Sequence, residues 1–405
     1  MENSNSRDWT ALDYDVLGVI LNKMVSLYDY LQFNLVCKSW YFLALRHKHE
    51  RSIITSKVTQ LPMLIVPSKD GLEKQHCLYD LTRNVVRPVD FKFCFNKRCC
   101  GSSFGWLIMR DETLGIVLFN PFSGTVIYLP PVATYDDIEW IPGHIIKAIL
   151  TKDPSLYPND YMVVAIFGTY KRLCLIRAND KTWTYYYPTP NIPFNDINIC
   201  GDTLYATEYY LNVWKVEVEN SEDESSSICI SVKMVHTIEM GHLVTSYITE
   251  SSKGELLVVL RILDSGEEQF ETVDFEVYKL IHENEDEMRR AVEVKSLDGD
   301  AIFIGDSQSI CVSTKEFPGC LPNRIYFTDN RYVNLVVGKL DGTQDLGTFN
   351  FENGSFEDQY IADPAQKNLP SPIWIIPTIC SKDLDYLDHP NYMLQRFGWM
   401  IKINL

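Results

Sequence analysis

Five residues, His76, Cys77, Cys94, Cys99 and Cys100, are of the types that bind zinc. Structural zinc sites commonly draw two thiolates from one Cys-x-x-Cys turn. No such pair occurs among them, so their spacing predicts small buried side chains and no metal site. Asp136, Asp137 and Glu139 beside Trp140 group carboxylates of the kind used in acid–base catalysis. Their run reads as a solvated loop. The chain has no Gly-x-x-x-x-Gly-Lys phosphate loop, no Gly-x-Ser-x-Gly elbow and no His-Glu-x-x-His pair. No catalytic residue and no cofactor is expected, and the protein reads as a non-enzyme.

The chemistry left is recognition by buried apolar surface. Val16, Leu17, Ile20, Leu21 and Met24 recur at helical spacing and line one face of a helix. Asp13 or Asp15 is placed to cap that helix or to charge its first turn. Leu31, Leu35 and Val36 after Asp29 predict a second short helix. Trp40, Leu43, Ala44 and His47 predict a third. Three short helices with brief connections form a small all-α unit over residues 1–50.

The chain changes character near residue 55. Apolar runs such as PMLIVP, HCLYDL, GWLIMR, GIVLFN, TVIYLP, YMVVAIFG, RLCLIRA and AIFIG follow one another, cut by Gly, Pro, Asp or Asn. Residues 203–219, TLYATEYYLNVWKVEVE, form one long run of strand formers. Such runs without helices between them predict a large all-β domain: a sandwich, barrel or propeller. A loose recurrence at blade-sized intervals, over more than three hundred residues, favours a β-propeller of six or seven blades across 51–377. Residues 378–405 read as a C-terminal extension and a candidate for closing the propeller.

Three acidic runs, 219–227, 264–271 and 282–290, read as exposed hairpin tips. The formal net charge is -17, although residues 51–110 are locally basic. An acidic body disfavours nucleic acid as a partner, because phosphate binding needs a basic face. No apolar run is long enough to span a bilayer, and the first residues lack a secretory pattern. Eleven irregularly spread cysteines are expected to be reduced core residues of a nuclear or cytoplasmic protein. Phe104, Trp106, Tyr135, Trp140, Tyr170, Tyr209 and Tyr210 lie near turns and are candidates for a partner surface. Most are expected to be structural, Trp106 and Trp183 in particular, and none is assigned as a site.

The stretch from Trp9 to Ala44 resembles the F-box family. Trp9, Leu12, Leu17, Ile20, Leu21, Asp29, Leu31, Val36, Cys37 and Trp40 fall at matching positions, and Val-Cys-Lys-Ser-Trp over 36–40 is the sharpest phrase. Asp13 stands where the family carries proline. Residues 100–109 (CGSSFGWLIM), 117–131 (VLFNPFSGTVIYLPP), 296–330 and Pro372-Ile373-Trp374 resemble, in order, plant F-box proteins whose β-propeller was long catalogued as a domain of unknown function. The resemblance implies docking of the F-box on a Skp-type adaptor, and through it on a cullin, with the propeller holding an unknown protein substrate for ubiquitination. It implies Leu12, Leu17, Ile20, Leu21, Leu31 and Val36 as adaptor contacts. Cys37 and Trp40 are expected to knit the helices together, with Trp40 partly at the interface. The resemblance also covers members that restrain a signalling kinase by direct contact, so a binding regulator outside ligase assemblies is the alternative.

Overall fold

Tight turns cut the β-rich region into short strands, and antiparallel pairing gathers these into six sheets. The structure is a computed structural model. It describes residues 12–24, 33, 36–46, 61–67, 76–81, 85–89, 97–111, 113, 115–132, 145–219, 229–238, 244–265, 270–282, 289–317, 319–328, 345–357 and 372–378. The six sheets are the blades of a six-bladed β-propeller, and one compact unit spans Pro62–Ile375.

Blades 2 to 5 are four-stranded meanders running outward in chain order. Their inner strands are Arg98–Ser103, Ile145–Leu150, Phe194–Cys200 and Val244–Glu250, each packed against the next. Cores form between neighbouring blades. Blades 2 and 3 bury Trp106, Ile108, Leu118, Ile145, Val163 and Trp183 together. Blades 5 and 6 bury Tyr247, Val259, Phe275, Ile302, Phe327 and Phe349. An apolar side chain fully buried in this way contributes about 1.5–3 kcal/mol.

Blades 1 and 6 depart from the meander. In blade 6 the chain lays down Asp300–Ile304 first, turns back into the inner strand Ile310–Ser313, then crosses to Arg324–Phe327, parallel to Asp300–Ile304. In blade 1 the inner strand is Ile373–Ile375, pairing antiparallel with Met63–Pro67. Nearly the whole propeller lies between these two partners in sequence, so their pairing closes the ring. Trp374 secures the closure: its Nε1 donates to the Ile304 carbonyl at 3.2 Å, and its ring meets Phe303 edge-on at 5.1 Å. The extension expected over 378–405 lies outside the described residues except for Thr378.

The run 203–219 is not one strand. It breaks into Thr203–Glu208 and Asn212–Glu219 around a turn in which Leu211 has φ +64°. The acidic runs connect consecutive antiparallel strands of blades 4 and 5, with most of their residues outside the described set.

The helical module is described by two helices, α1 (Tyr14–Lys23) and α2 (Lys38–Arg46). Asp13 is the N-cap of α1, its Oδ1 accepting from Asp15 N at 2.8 Å. Asp15 adds charge to the first turn and Lys23 to the last, matching the helix dipole. The middle helix expected around Leu31, Leu35 and Val36 falls on residues outside the described set, apart from Phe33 and Val36.

Candidate functional site

Among the described residues, side chains of functional interest gather on the face of the helical module and at the axis of the propeller. In the module, Leu17 and Leu21 are fully buried and pack with Phe33, Leu43 and Ala44. Leu12, Ile20, Met24 and Trp40 lie partly buried against that cluster. Trp40 stacks on Phe33 with ring centroids 4.5 Å apart. Cys37 is half-buried, and its carbonyl accepts from Tyr41 N at the start of α2. Leu31 lies outside the described residues. Val36 is 49% exposed, and so are Val16 at 48%, Val19 at 57% and Phe42 at 56%. The helical stripe is therefore divided. Leu17 and Leu21 hold the module together, whereas Val16, Val19, Val36 and Phe42 leave apolar surface outside. Spacing locates a stripe but does not say which of its edges faces inward, and Val19 and Phe42 belong to no stripe the sequence marks.

At the propeller axis, inner strands from several blades bring charged side chains together. Lys147 and Asp196 are buried, with Lys147 Nζ 2.5 Å from Asp196 Oδ1. Lys147 also donates to the Gly305 carbonyl at 3.1 Å. Asp196 Oδ2 accepts from Ile248 N at 2.8 Å and from Ser309 Oγ at 3.1 Å. Burial raises the Asp196 carboxyl above the ordinary range, outweighing the pull of Lys147 and these donors. Asn198 donates to the Ile248 and Ser309 carbonyls, and its Oδ1 accepts from Gln308 Nε2, each at 2.8 Å. The segment that turns back in blade 6, 305–309, is thereby stitched to blades 3 and 4, and Thr249 Oγ1 of blade 5 donates to the Ser309 carbonyl at 3.5 Å. Its Gln308 N donates to the Ser102 carbonyl of blade 2.

A second buried cation ties blade 5 to blade 6. Arg261 donates to Thr272 Oγ1 at 2.6 Å, to the Thr328 carbonyl at 2.8 Å and to Asp345 Oδ2 at 2.8 Å. These charges have near-complete partner sets, the condition under which buried polar groups are tolerated. Both clusters hold blades together. Among the described residues no group of three or more His, Cys, Asp or Glu is placed to hold a metal ion. Asp136, Asp137, Glu139 and Trp140 lie outside the described residues, as do Cys94 and Tyr135. Among the described cysteines, Cys77, Cys100, Cys174, Cys200 and Cys320 are buried.

Several family phrases turn out to be blade-to-blade fasteners. In CGSSFGW, a Cβ on Gly101 would sit 1.9 Å from the Ala148 carbonyl oxygen of the next blade, so only glycine allows that approach. Ser103 Oγ accepts from Leu150 N at 3.1 Å, and Trp106 Nε1 donates to Asp153 Oδ1 at 3.0 Å. Trp183 Nε1 returns the link to the Pro130 carbonyl at 2.8 Å. The NPFSG phrase instead shapes a turn within blade 2, where Asn120 Oδ1 accepts from Phe122 N and Ser123 N, both at 2.9 Å. Trp106 and Trp183 are accordingly core residues, whereas Tyr170, Tyr209 and Tyr210 are exposed.

A six-bladed propeller closed by a late strand, in a chain that begins with a small helical module, is the architecture these observations define. The KIB1-4 beta-propeller family matches residues 78–350, and the chain belongs to that family. It is similar to the putative F-box protein At5g55150 of Arabidopsis thaliana, 24% identical over 92% of this chain and 98% of that protein. It is also similar to F-box protein SKIP23 of the same plant, 25% identical over 91% of this chain and 95% of that one. F-box protein At2g17690 of that plant matches a shorter stretch, 49% identical over 70 residues, 17% of this chain and 16% of that protein.

Proposed function

We propose that this chain is the substrate-choosing subunit of a cullin-based ubiquitin ligase in the nucleus or cytoplasm. The helical module docks on a Skp-type adaptor, and the propeller holds a protein target. The observation that carries this reading is the likeness, over nearly the whole chain, to plant proteins named as F-box proteins. The chemistry required is binding alone: the receptor raises the effective concentration of the target beside a ubiquitin carrier, and other subunits supply the reacting groups. The axis clusters fit that role, because they consume polar groups in holding a rigid scaffold.

Adaptor docking is assigned to the apolar surface the module leaves outward, centred on Val16, Val19, Val36 and Phe42, with Leu12, Ile20 and Trp40 at its margin. Leu17 and Leu21 support it from within, and Leu31 remains a candidate contact. Co-purification of the full chain with a plant Skp-type adaptor tests the reading. Wild type should be retained, and Val16→Glu plus Val19→Glu should lose the adaptor without altering the melting temperature. Failure of wild type to bind any such adaptor would overturn it. Full biological activity after deletion of residues 1–50 would favour a binding regulator that acts through the propeller alone.

A further inference from the structure

We propose that turns of blades 3 and 4 form a docking platform for an extended peptide segment of a partner protein, one that carries an anionic side chain. This rests on the receptor reading only in requiring that the propeller holds a protein. Three connections build the platform. They are the turn 168–171 between Met162–Phe167 and Arg172–Arg177, the crossing 187–193 into blade 4, and the turn 209–211. Antiparallel alternation puts all three at the end of the blades where the inner strands begin. Hydrogen bonds then lock them to one another. Phe194 N donates to the Lys171 carbonyl at 2.9 Å, Tyr209 N to the Pro193 carbonyl at 3.1 Å, and Asn191 Nδ2 to the Tyr170 carbonyl at 3.2 Å.

This locked surface displays aromatic side chains. Tyr170, Tyr187, Tyr209 and Tyr210 are 42%, 48%, 52% and 69% exposed. Scattered surface tyrosines need no explanation. These differ, because a buried charge maintains two of them. Glu208 is 1% exposed, and its carboxylate accepts from Tyr210 N at 2.9 Å and from Asn212 N at 3.3 Å. That carboxylate fixes a turn that tucks Leu211 inside and turns Tyr209 and Tyr210 out. Pre-ordered tyrosines lose little entropy on binding, which suits them as anchors.

Charge selects the occupant. The Arg172 guanidinium lies between the rings of Tyr170 and Tyr187, 4.8 Å from each centroid. Asn191 Oδ1 accepts from its Nε at 3.4 Å. Lys171 is adjacent, its Nζ donating to Asn195 Oδ1 at 2.8 Å, and the turns 168–171, 187–193 and 209–211 carry no Asp or Glu of their own. A basic, aromatic spot on a chain of net charge -17 complements an anionic side chain flanked by proline or aliphatic groups. A carboxylate and a phosphoryl group share that chemistry.

The full chain, immobilised, is used to select from a displayed library of random short peptides. Enriched peptides should pair Asp or Glu with proline or aliphatic residues. A synthetic copy should bind about tenfold more weakly to Tyr210→Ser and to Arg172→Gln. Exchanging its acidic residue for phosphoserine or for serine separates the two anions. Should Arg172→Gln alter the fold, the exposed pair Tyr209→Ser plus Tyr210→Ser carries the comparison. No enrichment, a preference for basic peptides, or binding unchanged in the tyrosine variants would overturn the platform. Adaptor capture should be untouched in every variant. Loss of adaptor capture by wild type would sink the ligase reading while leaving the platform standing.

Discussion

Lys147 and Asp196 each sit at a position where a lone charge would be intolerable. Removing one partner strands the other in the interior. Asp196→Ala is expected to destabilise the propeller by about 3–5 kcal/mol, and Lys147→Met by a similar amount. The double variant Lys147→Met with Asp196→Leu should cost clearly less than the two added, because no unpaired charge remains. Urea denaturation of the four proteins measures the coupling, and strict additivity would show that the contact is not energetically real. None of this was legible in the sequence. Lys147 lies in an apolar run and Asp196 in a mixed one, and only the inner-strand ring brings them together. Tyr209 and Tyr210 were legible as candidates for a partner surface near a turn, but the strand break that exposes them was not. Tyrosine is a strand former, so a run rich in it reads as continuous strand. The break depends on a buried carboxylate at Glu208, and no local rule puts a charged residue inside.

At the scale of elements, Asp13 shows how a departure from a family pattern can be locally sound. Its φ of -61° is one that proline adopts, and its carboxylate supplies a cap that proline lacks. Asp13→Pro should leave α1 formed and strengthen adaptor capture if the family proline contributes an apolar contact. Calorimetric titration of the adaptor decides this, and unchanged affinity would show that the ring touches nothing. The periodicity of α1 was readable because burial repeats every three to four residues along it. The assignment of faces was not, because it depends on Phe33, Leu43 and Ala44, which arrive from elsewhere in the module. In the β region the strands themselves were readable, since most are short apolar runs bounded by Gly, Asp or Asn with positive φ, as at Gly124, Gly168, Asp298 and Asn323. The inward return of blade 6 was not. Ile310–Ser313 carries no sequence mark that separates an inner strand from an outer one.

For the whole molecule, blade number and closure depend on where the last strand goes. The expectation of six or seven blades resolves to six because Ile373–Ile375 completes blade 1 beside Met63–Pro67 and forms no blade of its own. Trp374 is the residue on which closure turns. Trp374→Ala removes a buried ring and its bond to Ile304, at an expected cost of about 3–5 kcal/mol. Hydrogen exchange should report that loss in blades 1 and 6 together, as loosening at both sides of the seam. A loss confined to blade 1 would argue against a shared closure.

The same seam orders events in time. During synthesis, Met63–Pro67 leaves the ribosome long before its partner exists, and blades 2 to 5 can assemble while blade 1 still presents an unpaired edge. That edge waits for roughly three hundred residues of translation, about 15–60 s at ordinary elongation rates. Through that interval the nascent chain carries an open strand of apolar residues, a surface that other chains can pair with. A transcript that stops anywhere before residue 373 would leave the edge open permanently. Shortened products of this gene should therefore be cleared or aggregate as wholes, and should not persist as smaller working propellers.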